Sequence, residues 1–454
     1  MGVIMQAFYW DCPRMEGKEY QWWKHVRDEI PSLKSAGFTV LWLPPASKAA
    51  NVGGMSMGYD VYDYYDLGKY PQKAVRKIDN EDEVRTWFGS EEDLRSLIRA
   101  AHDREMKVYA DLVLNHNNGA DAEEFNPITN RMWWTRFTPQ SGMFTRDWTC
   151  FNPSPYQALD SVTFGDMPDL CHINPRVSTG ILNHAKWLVE EIGFDGFRYD
   201  FVKGFGAWII RAIHDRNYTR EGRPVDIFGV AECWSGDDYI DDWLDAVNRW
   251  AEHRVGAFDF PLRDRLKDLC DTNGFSLRQL VDGGVLMKDR PFEAVTFVEN
   301  HDFRDNDNPP IVNDKMLAYA FILTHEGYPC VFWQDYYTWG LGLPGEHNGI
   351  AALVRVHEDH AGGTTTVLHC DDNLYIMQRQ GIDWQSGLIF VLNNGSDKWN
   401  GTVVKTQWKN TTFVPAAWSG KNDDGIPLEQ QTHEDGQGEF YAPPRGYVVY
   451  VPQG

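Results

Sequence analysis

Four short stretches of this chain set ionisable side chains at the ends of apolar runs. Residues 196–204 read G-F-R-Y-D-F-V-K-G and gather Arg198, Asp200 and Lys203 within six positions. Asp111-Leu-Val-Leu-Asn115-His116 closes an earlier run, Gly229-Val-Ala-Glu232-Cys-Trp234 a later one, and Glu299-Asn-His301-Asp302 the last. Burying such groups is costly unless they pair or do chemistry. If the runs are strands of one barrel, their ends share a rim, and Asp200, Glu232 and Asp302 converge on one pocket. Two carboxylates flanking a bond are what glycoside hydrolysis needs: one ionised to attack the anomeric carbon, one protonated to release the leaving oxygen. Arg198, two positions from Asp200 on the same strand face, is expected to keep it ionised, as a nucleophile requires. Glu232 lies between Ala231 and Cys233-Trp234, an apolar setting that raises its pKa and suits a general acid. Asp302 is then a third carboxylate, gripping sugar hydroxyls and steadying positive charge on the ring.

The elements that would position these groups alternate along the chain. Strands are expected at 3–9, 39–43, 107–113, 194–199, 226–231, 257–260, 294–298 and 330–333. Helices are expected at 20–35, from Ser90, and at 177–192, 207–216, 238–251, 314–324 and 350–358. The first helix repeats Trp23, Val26, Ile30 and Leu33 at helical spacing and stops at Gly37. Ser90 with Asp93 makes a capping box, and 107–113 is continuously apolar, as a parallel strand buried on both faces should be. Eight strands with helices between them predict a (β/α)8 barrel, an α/β fold. Residues 117–172 break the alternation, being rich in Asn, Pro, Gly and Trp and too long for an ordinary loop. From about residue 361, short alternating segments with Gly/Asn/Asp turns predict an antiparallel β-sandwich. The expected division is a barrel from 1–116 and 173–360, an inserted domain at 117–172, and a C-terminal β-domain at 361–454.

A net charge of −23 without a Lys/Arg cluster argues against nucleic acid and anionic membranes as partners. It suits a neutral substrate or a bound cation. No run approaches the roughly 18 apolar residues of a membrane span. Seven cysteines without a CxxC pair indicate neither a zinc ribbon nor a disulfide framework, and leave one or two disulfides open. The 19 Trp, 20 Tyr and 24 Phe are mostly core, although flat rings also suit clefts that stack on pyranose faces. The N-terminus enters strand-like sequence at once, consistent with an intracellular protein or a mature form carrying a start Met.

In order and wording, the four segments resemble the α-amylase family, glycoside hydrolase family 13. Asp166-Met-Pro-Asp169-Leu-Cys171 is similar to the family's additional motif near the end of its inserted domain. Residues 2–9, Met57-Gly-Tyr59-Asp60, Thr163-Phe-Gly165 and 318–324 are similar to the plant and archaeal α-amylases in particular. The resemblance implies retaining endo-hydrolysis of α-1,4-glucosidic bonds in starch and maltooligosaccharides. Asp200 would be nucleophile, Glu232 acid/base and Asp302 transition-state stabiliser. Tyr59 would stack on the sugar, His116, Arg198 and His301 would bind its hydroxyls or the nucleophile, and Lys203 and Trp234 would lie on the leaving-group side. It further implies a structural Ca2+ held by hard oxygens from Asn115, Asp160 and Asp169, with carbonyls at Val162 and Gly204, pinning the insertion to the barrel.

Departures narrow the expectation. Some archaeal relatives bind zinc through two His and a Cys; here Asn152, Gln157 and Cys171 stand there, so no zinc is expected. Chloride-dependent members carry a basic residue just after strand eight, where this chain has Gln334, so no chloride is expected. Phe303 follows Asp302 where Thr is commoner. The alternative function is an α-glucan transglycosylase (4-α-glucanotransferase) using the same carboxylates with a sugar as acceptor; the short insertion favours water. A non-enzymatic relative would have lost a carboxylate, and none is lost. Trp399, Trp408 and Trp418 are expected in the core rather than at a surface starch site. A monomer is expected, and a polymeric substrate favours an extracellular location over a cytoplasmic one.

Overall fold

The computed structural model describes residues 2–52, 54–78, 81–157, 163–249, 255–343, 345–421 and 425–453. Eight parallel strands close a barrel: β1 (Ile4–Gln6), β2 (Val40–Trp42), β3 (Lys107–Leu112), β4 (Gly196–Tyr199), β5 (Phe228–Ala231), β6 (Val255–Phe258), β7 (Ala294–Phe297) and β8 (Tyr328–Phe332). Each pairs with its sequence neighbours, and β1 pairs with β8 to complete the ring. In register, Arg198 on β4 lies beside Asp111 on β3 and Val230 on β5. That register, more than sequence proximity, decides which charges meet.

The surrounding helices are α1 (Trp22–Ala36), α2 (Glu91–His102), α3 (Pro175–Trp187), α4 (Trp208–His214), α5 (Asp237–Val247), α6 (Phe260–Asp271), α7 (Lys315–Thr324) and α8 (Ile350–His360). Gly37 ends α1 with φ 105°, a conformation in which glycine pays no Cβ penalty. Ser90 and Asp93 form the expected capping box on α2. Helix α6 is absent from the sequence reading, which instead runs a strand through 257–260. The Asp259 carboxylate accepts from Leu262 N–H and caps α6, so Phe260 opens a helix and the strand stops at Phe258. Leu262, Leu266 and Leu269 then face inward.

Within 117–172, strands Ala122–Asn126 and Arg131–Arg136 pair as a hairpin. The segment returns to the barrel through Leu170 N–H on the Asn115 carbonyl (2.8 Å) and Asn117 N–H on the Pro168 carbonyl (3.0 Å). From Thr365 onward the chain is antiparallel: β9 (Thr365–Cys370), β10 (Leu374–Arg379), β11 (Leu388–Asn393), β12 (Asn400–Lys405), β13 (Thr412–Ser419), β14 (Gln430–Gln431), β15 (Gln437–Ala442) and β16 (Gly446–Pro452). A six-stranded sheet in the order β9-β10-β11-β16-β13-β14 packs on the β12–β15 pair over Leu374, Ile389, Val404, Phe413, Phe440 and Val448. Trp399, Trp408 and Trp418 pack, partly buried, against this second core. The other face of the large sheet joins the barrel's own core through Tyr375, Leu388, Phe390 and Tyr447. Arg445 clamps the two, donating to the Leu269 (2.7 Å) and Cys270 (2.8 Å) carbonyls and to Asp314 (2.8 Å). All seven cysteines are unpaired thiols, so the disulfides left open by the sequence do not form here.

Candidate active site

Asp200, Glu232 and Asp302 line one cleft of about 530 Å³, together with Trp10, Tyr59, Phe164, Trp234, His301 and Arg304. Arg198, 1% exposed, organises it from below. Its Nη1 donates to Asp111 Oδ1 (2.8 Å) and Asp200 Oδ1 (2.8 Å), and Nη2 lies 3.0 Å from Glu232 Oε2. One cation therefore serves three buried carboxyls. Directly after Asp200, Phe201 adopts φ 44°, unusual for a residue with a Cβ. This turn aims Phe201 N–H at Glu232 Oε2 (2.8 Å). Both donors sit on Oε2, so Oε1 is the oxygen able to carry a proton.

The carboxyls are graded by their surroundings. Burial pushes Glu232 furthest, to about 8, against the pull of Arg198. Burial also raises Asp200, to about 7, because the shared guanidinium only partly offsets desolvation and Asp111 adds repulsion. Arg198 therefore favours the ionised form of Asp200, as expected, but its charge is divided among three partners. Asp302 goes the other way. Burial raises it, but His301, Arg198 and Arg304 outweigh burial and hold its carboxyl below the usual range. Arg304 Nη1 donates to Asp302 Oδ1 (3.2 Å) and to the His301 carbonyl (2.8 Å).

A hydrogen-bond chain fixes the cleft floor. Gln6 Nε2 donates to His301 Nδ1 (3.0 Å), leaving the ring proton on Nε2, which donates to Tyr59 Oη (2.8 Å). Tyr59 O–H donates onward to Asp111 Oδ2 (2.9 Å), which also accepts from Trp42 Nε1 (3.1 Å). Burial lowers His301 to about 4 and keeps it neutral, consistent with that arrangement. Tyr59 and His301 rings are parallel (5.3 Å, 4°), and Trp10 lies parallel to Tyr59 (6.2 Å, 6°) with the Arg304 guanidinium over it at 3.9 Å. Parallel, partly exposed rings give a platform for the apolar face of a sugar.

Other expected residues fall near but not in the cleft. His116 is fully buried; its Nε2 donates to the Tyr59 carbonyl (2.9 Å) and Phe164 covers its ring (4.6 Å, 9°). Lys203 donates to the Trp234 carbonyl (2.6 Å), tying the segment after Asp200 to the one after Glu232. Asp111, Gln6, Trp10 and Arg304 belong to the site but were not singled out. Asp111 was legible, standing at the head of D-L-V-L-N-H; Trp10, in a loop after β1, carries no local signal.

For a cation, Asn115, Asp169 and Gly204 come together at the foot of the insertion. Asn115 Oδ1 is buried without a hydrogen-bond partner and occupies the space a Cβ on Gly204 would fill. Asp169, 2% exposed, is bridged to His116 and accepts from Asn152 Nδ2 (3.0 Å). A buried amide oxygen without a partner, on the residue next to the one bridged to Asp169, suits a hard cation; Asp160 and Val162 lie outside the described residues. Cys171 Sγ accepts from Ser154 Oγ (3.1 Å). Among the described residues no three His, Cys, Asp or Glu side chains cluster as a metal site.

Comparison with known proteins places this geometry. The alpha amylase catalytic-domain family model matches residues 16–226. The chain is 31% identical to the alpha-amylase of Geobacillus stearothermophilus, covering all of this chain and 87% of that protein. It is 32% identical to the alpha-amylase of Bacillus licheniformis, covering 99% of this chain and 93% of that one. The chain belongs to the α-amylase family. Its fold also superposes on a cyclomaltodextrin glucanotransferase with a three-domain ABC distribution (TM-score 0.70, 20% identity, 100% of this chain and 99% of that chain). As an α-amylase-family member it therefore shares its architecture with hydrolases and with a transferase. No described helix is long and apolar enough to cross a membrane.

Proposed function

We propose that this protein hydrolyses α-1,4-glucosidic bonds within starch, glycogen and maltooligosaccharides, retaining anomeric configuration. The observation carrying the reading is an aromatic-floored cleft in which Asp200 and Glu232 share one guanidinium and Asp302 stands beside them. Asp200 is the nucleophile: its Oδ1 is held by Arg198, and Oδ2 attacks the anomeric carbon. Glu232, kept protonated by burial, passes its Oε1 proton to the leaving oxygen as that C–O bond breaks. The product is a glycosyl ester on Asp200 and a free sugar. Glu232, now ionised, takes a proton from water, whose oxygen attacks the same carbon and frees Asp200. Asp302, ionised throughout, stabilises the cationic ring, and Tyr59 with His301 supports its face.

Further parts of the reading are the division into barrel, insertion and C-terminal sandwich at 117–172 and 361–454, monomeric action, and an extracellular setting for a polymeric substrate. Asn115, Asp169 and the Gly204 carbonyl, completed by Asp160 and Val162, would hold a Ca2+ that braces the insertion against β3. When bound, the ion supplies structural neutralisation rather than chemistry. A 4-α-glucanotransferase would use the same carboxylates with a sugar in place of water. A soluble-starch digest with and without maltose separates the two, following product anomers by NMR and chain lengths by chromatography. Early α-anomeric maltooligosaccharides with rapid loss of iodine colour are expected. Products longer than the donor with few new reducing ends would replace hydrolysis by transfer.

A further inference from the structure

Phe303 directly follows Asp302, yet its ring is buried (6% exposed) and turned into the protein rather than the cleft. The Arg263 guanidinium lies over that ring at 3.5 Å, and Phe297 packs at 6.2 Å. Arg263 is itself 2% exposed, donates to the Pro309 carbonyl (3.0 Å) and lies 3.5 Å from Glu299 Oε2. Phe303 also contacts the ring of Trp234 (5.1 Å, 50°), which lines the cleft two residues beyond Glu232. Trp234 is held by its carbonyl, on Lys203, and by ring packing on Phe260 (5.0 Å, 11°) and Phe303. Two aromatic supports thus fix where this ring stands in the cleft wall, and one of them grows from the segment bearing Asp302.

We infer that Phe303 is a positioning residue that sets the Trp234 ring against the sugar on the leaving-group side, and so governs leaving-group and acceptor selectivity. The inference rests on the function proposed above, in which Glu232 protonates the leaving oxygen. A general acid must lie within hydrogen-bond reach of that oxygen, so a ring two residues further on borders the sugar being released. Phe303 cannot move without displacing either a buried, ion-paired guanidinium or Trp234. Shortening it leaves the chemistry at Asp200 intact while loosening the wall the departing and incoming sugars meet.

Two substrates isolate the effect: maltoheptaose, whose leaving group is a sugar chain, and a chloronitrophenyl maltotrioside, whose leaving group is not. Phe303→Ala should lower kcat/KM on maltoheptaose about tenfold relative to the aryl glycoside, chiefly through KM, the scale of a lost apolar contact to substrate. Phe303→Leu should recover part of that ratio, and it carries the same comparison if the alanine variant does not fold. Adding Phe303→Ala to Trp234→Ala should move the ratio little further, because residues acting through one contact are not additive. Equal loss on both substrates, or full additivity in the double variant, overturns the inference. Wild-type protein that cleaves neither substrate would sink the underlying function, and this inference with it.

Discussion

Two buried charge clusters lie within the same barrel, and they are built on opposite balances. In the cleft, Arg198 alone faces Asp111, Asp200 and Glu232. Behind it, Lys315 and Arg263 face Glu299 and Asp335, two cations for two carboxyls. Burial raises carboxyl pKa values in both, with Glu299 pushed to about 7. The difference lies in the donors. Asp335 accepts from Lys315 on Oδ1 (2.7 Å) and Tyr319 on Oδ2 (2.5 Å); Glu299 accepts from Ile311 N–H on Oε1, while its Oε2 faces Arg263 at 3.5 Å without a hydrogen bond. In the cleft no described donor reaches Glu232 Oε1 or Asp200 Oδ2. The rear cluster is closed around Asp335, whose two oxygens are both supplied, and holds structure; Asp200 and Glu232, each short of a donor in an open cleft, keep an oxygen available to a substrate.

Removing a carboxyl from each cluster should break them differently. Glu232→Gln is expected to lower kcat on starch by about a hundred- to ten-thousandfold, the usual weight of a general acid, and Asp200→Asn by at least as much. Both should melt close to wild type, since Glu232 is already neutral below about pH 8 and Asp200→Asn takes a carboxyl from a site crowded with them. Turnover near normal in either variant would remove its assignment. Lys315→Met instead strands Asp335 in the interior, where breaking one side of a buried pair costs about 3–5 kcal/mol. Denaturant unfolding should register that loss while the product pattern stays unchanged; a loss well under 1 kcal/mol would mean the cluster is not closed.

A smaller effect is expected where the insertion meets the barrel. If Ca2+ braces Asn115 and Asp169, strong chelator should lower the melting temperature. The stabilisation removed is about 2.7 kcal/mol for a site held at a hundred times its Kd. Asn115→Ala should melt lower without chelator and respond little to it. An identical melting curve with and without chelator would rule out the ion.

The barrel was legible because eight apolar runs, each ended by charged or turn residues, alternate with helical periodicity, and the three carboxyls were legible because they end three such runs. What local reading missed was set by contacts across the fold. Helix α6 was overlooked because its cap, Asp259, follows an apolar run that reads as more strand. Asp111 gains its place only when the β3–β4 register sets it beside Arg198. The charge state of Asp200 turned on how many partners one guanidinium serves, which spacing along β4 does not reveal. Trp10 and Arg304 meet the cleft from loops 294 positions apart in sequence, a separation given by their numbers and bridged only by the closed ring.

The finest distinction between the clusters is their response to pH. Glu232 holds its proton to about 8, against an ordinary value of 4.5, so the basic limb of kcat/KM should fall near there. The acid limb should report the Asp200 end of the same coupled set. In Glu232→Gln the residual activity should lose its basic limb, whereas Lys315→Met should leave both limbs in place. Stability carries the matching sign. A carboxyl whose folded pKa is raised favours the fold most below its unfolded value, and this contribution is lost as pH rises through the folded one. Glu232 therefore weakens the fold between about pH 4.5 and about pH 8, and Glu232→Gln should flatten stability across that range. A basic limb that persists in Glu232→Gln would assign the titration elsewhere and dissolve the contrast between an open cluster and a closed one.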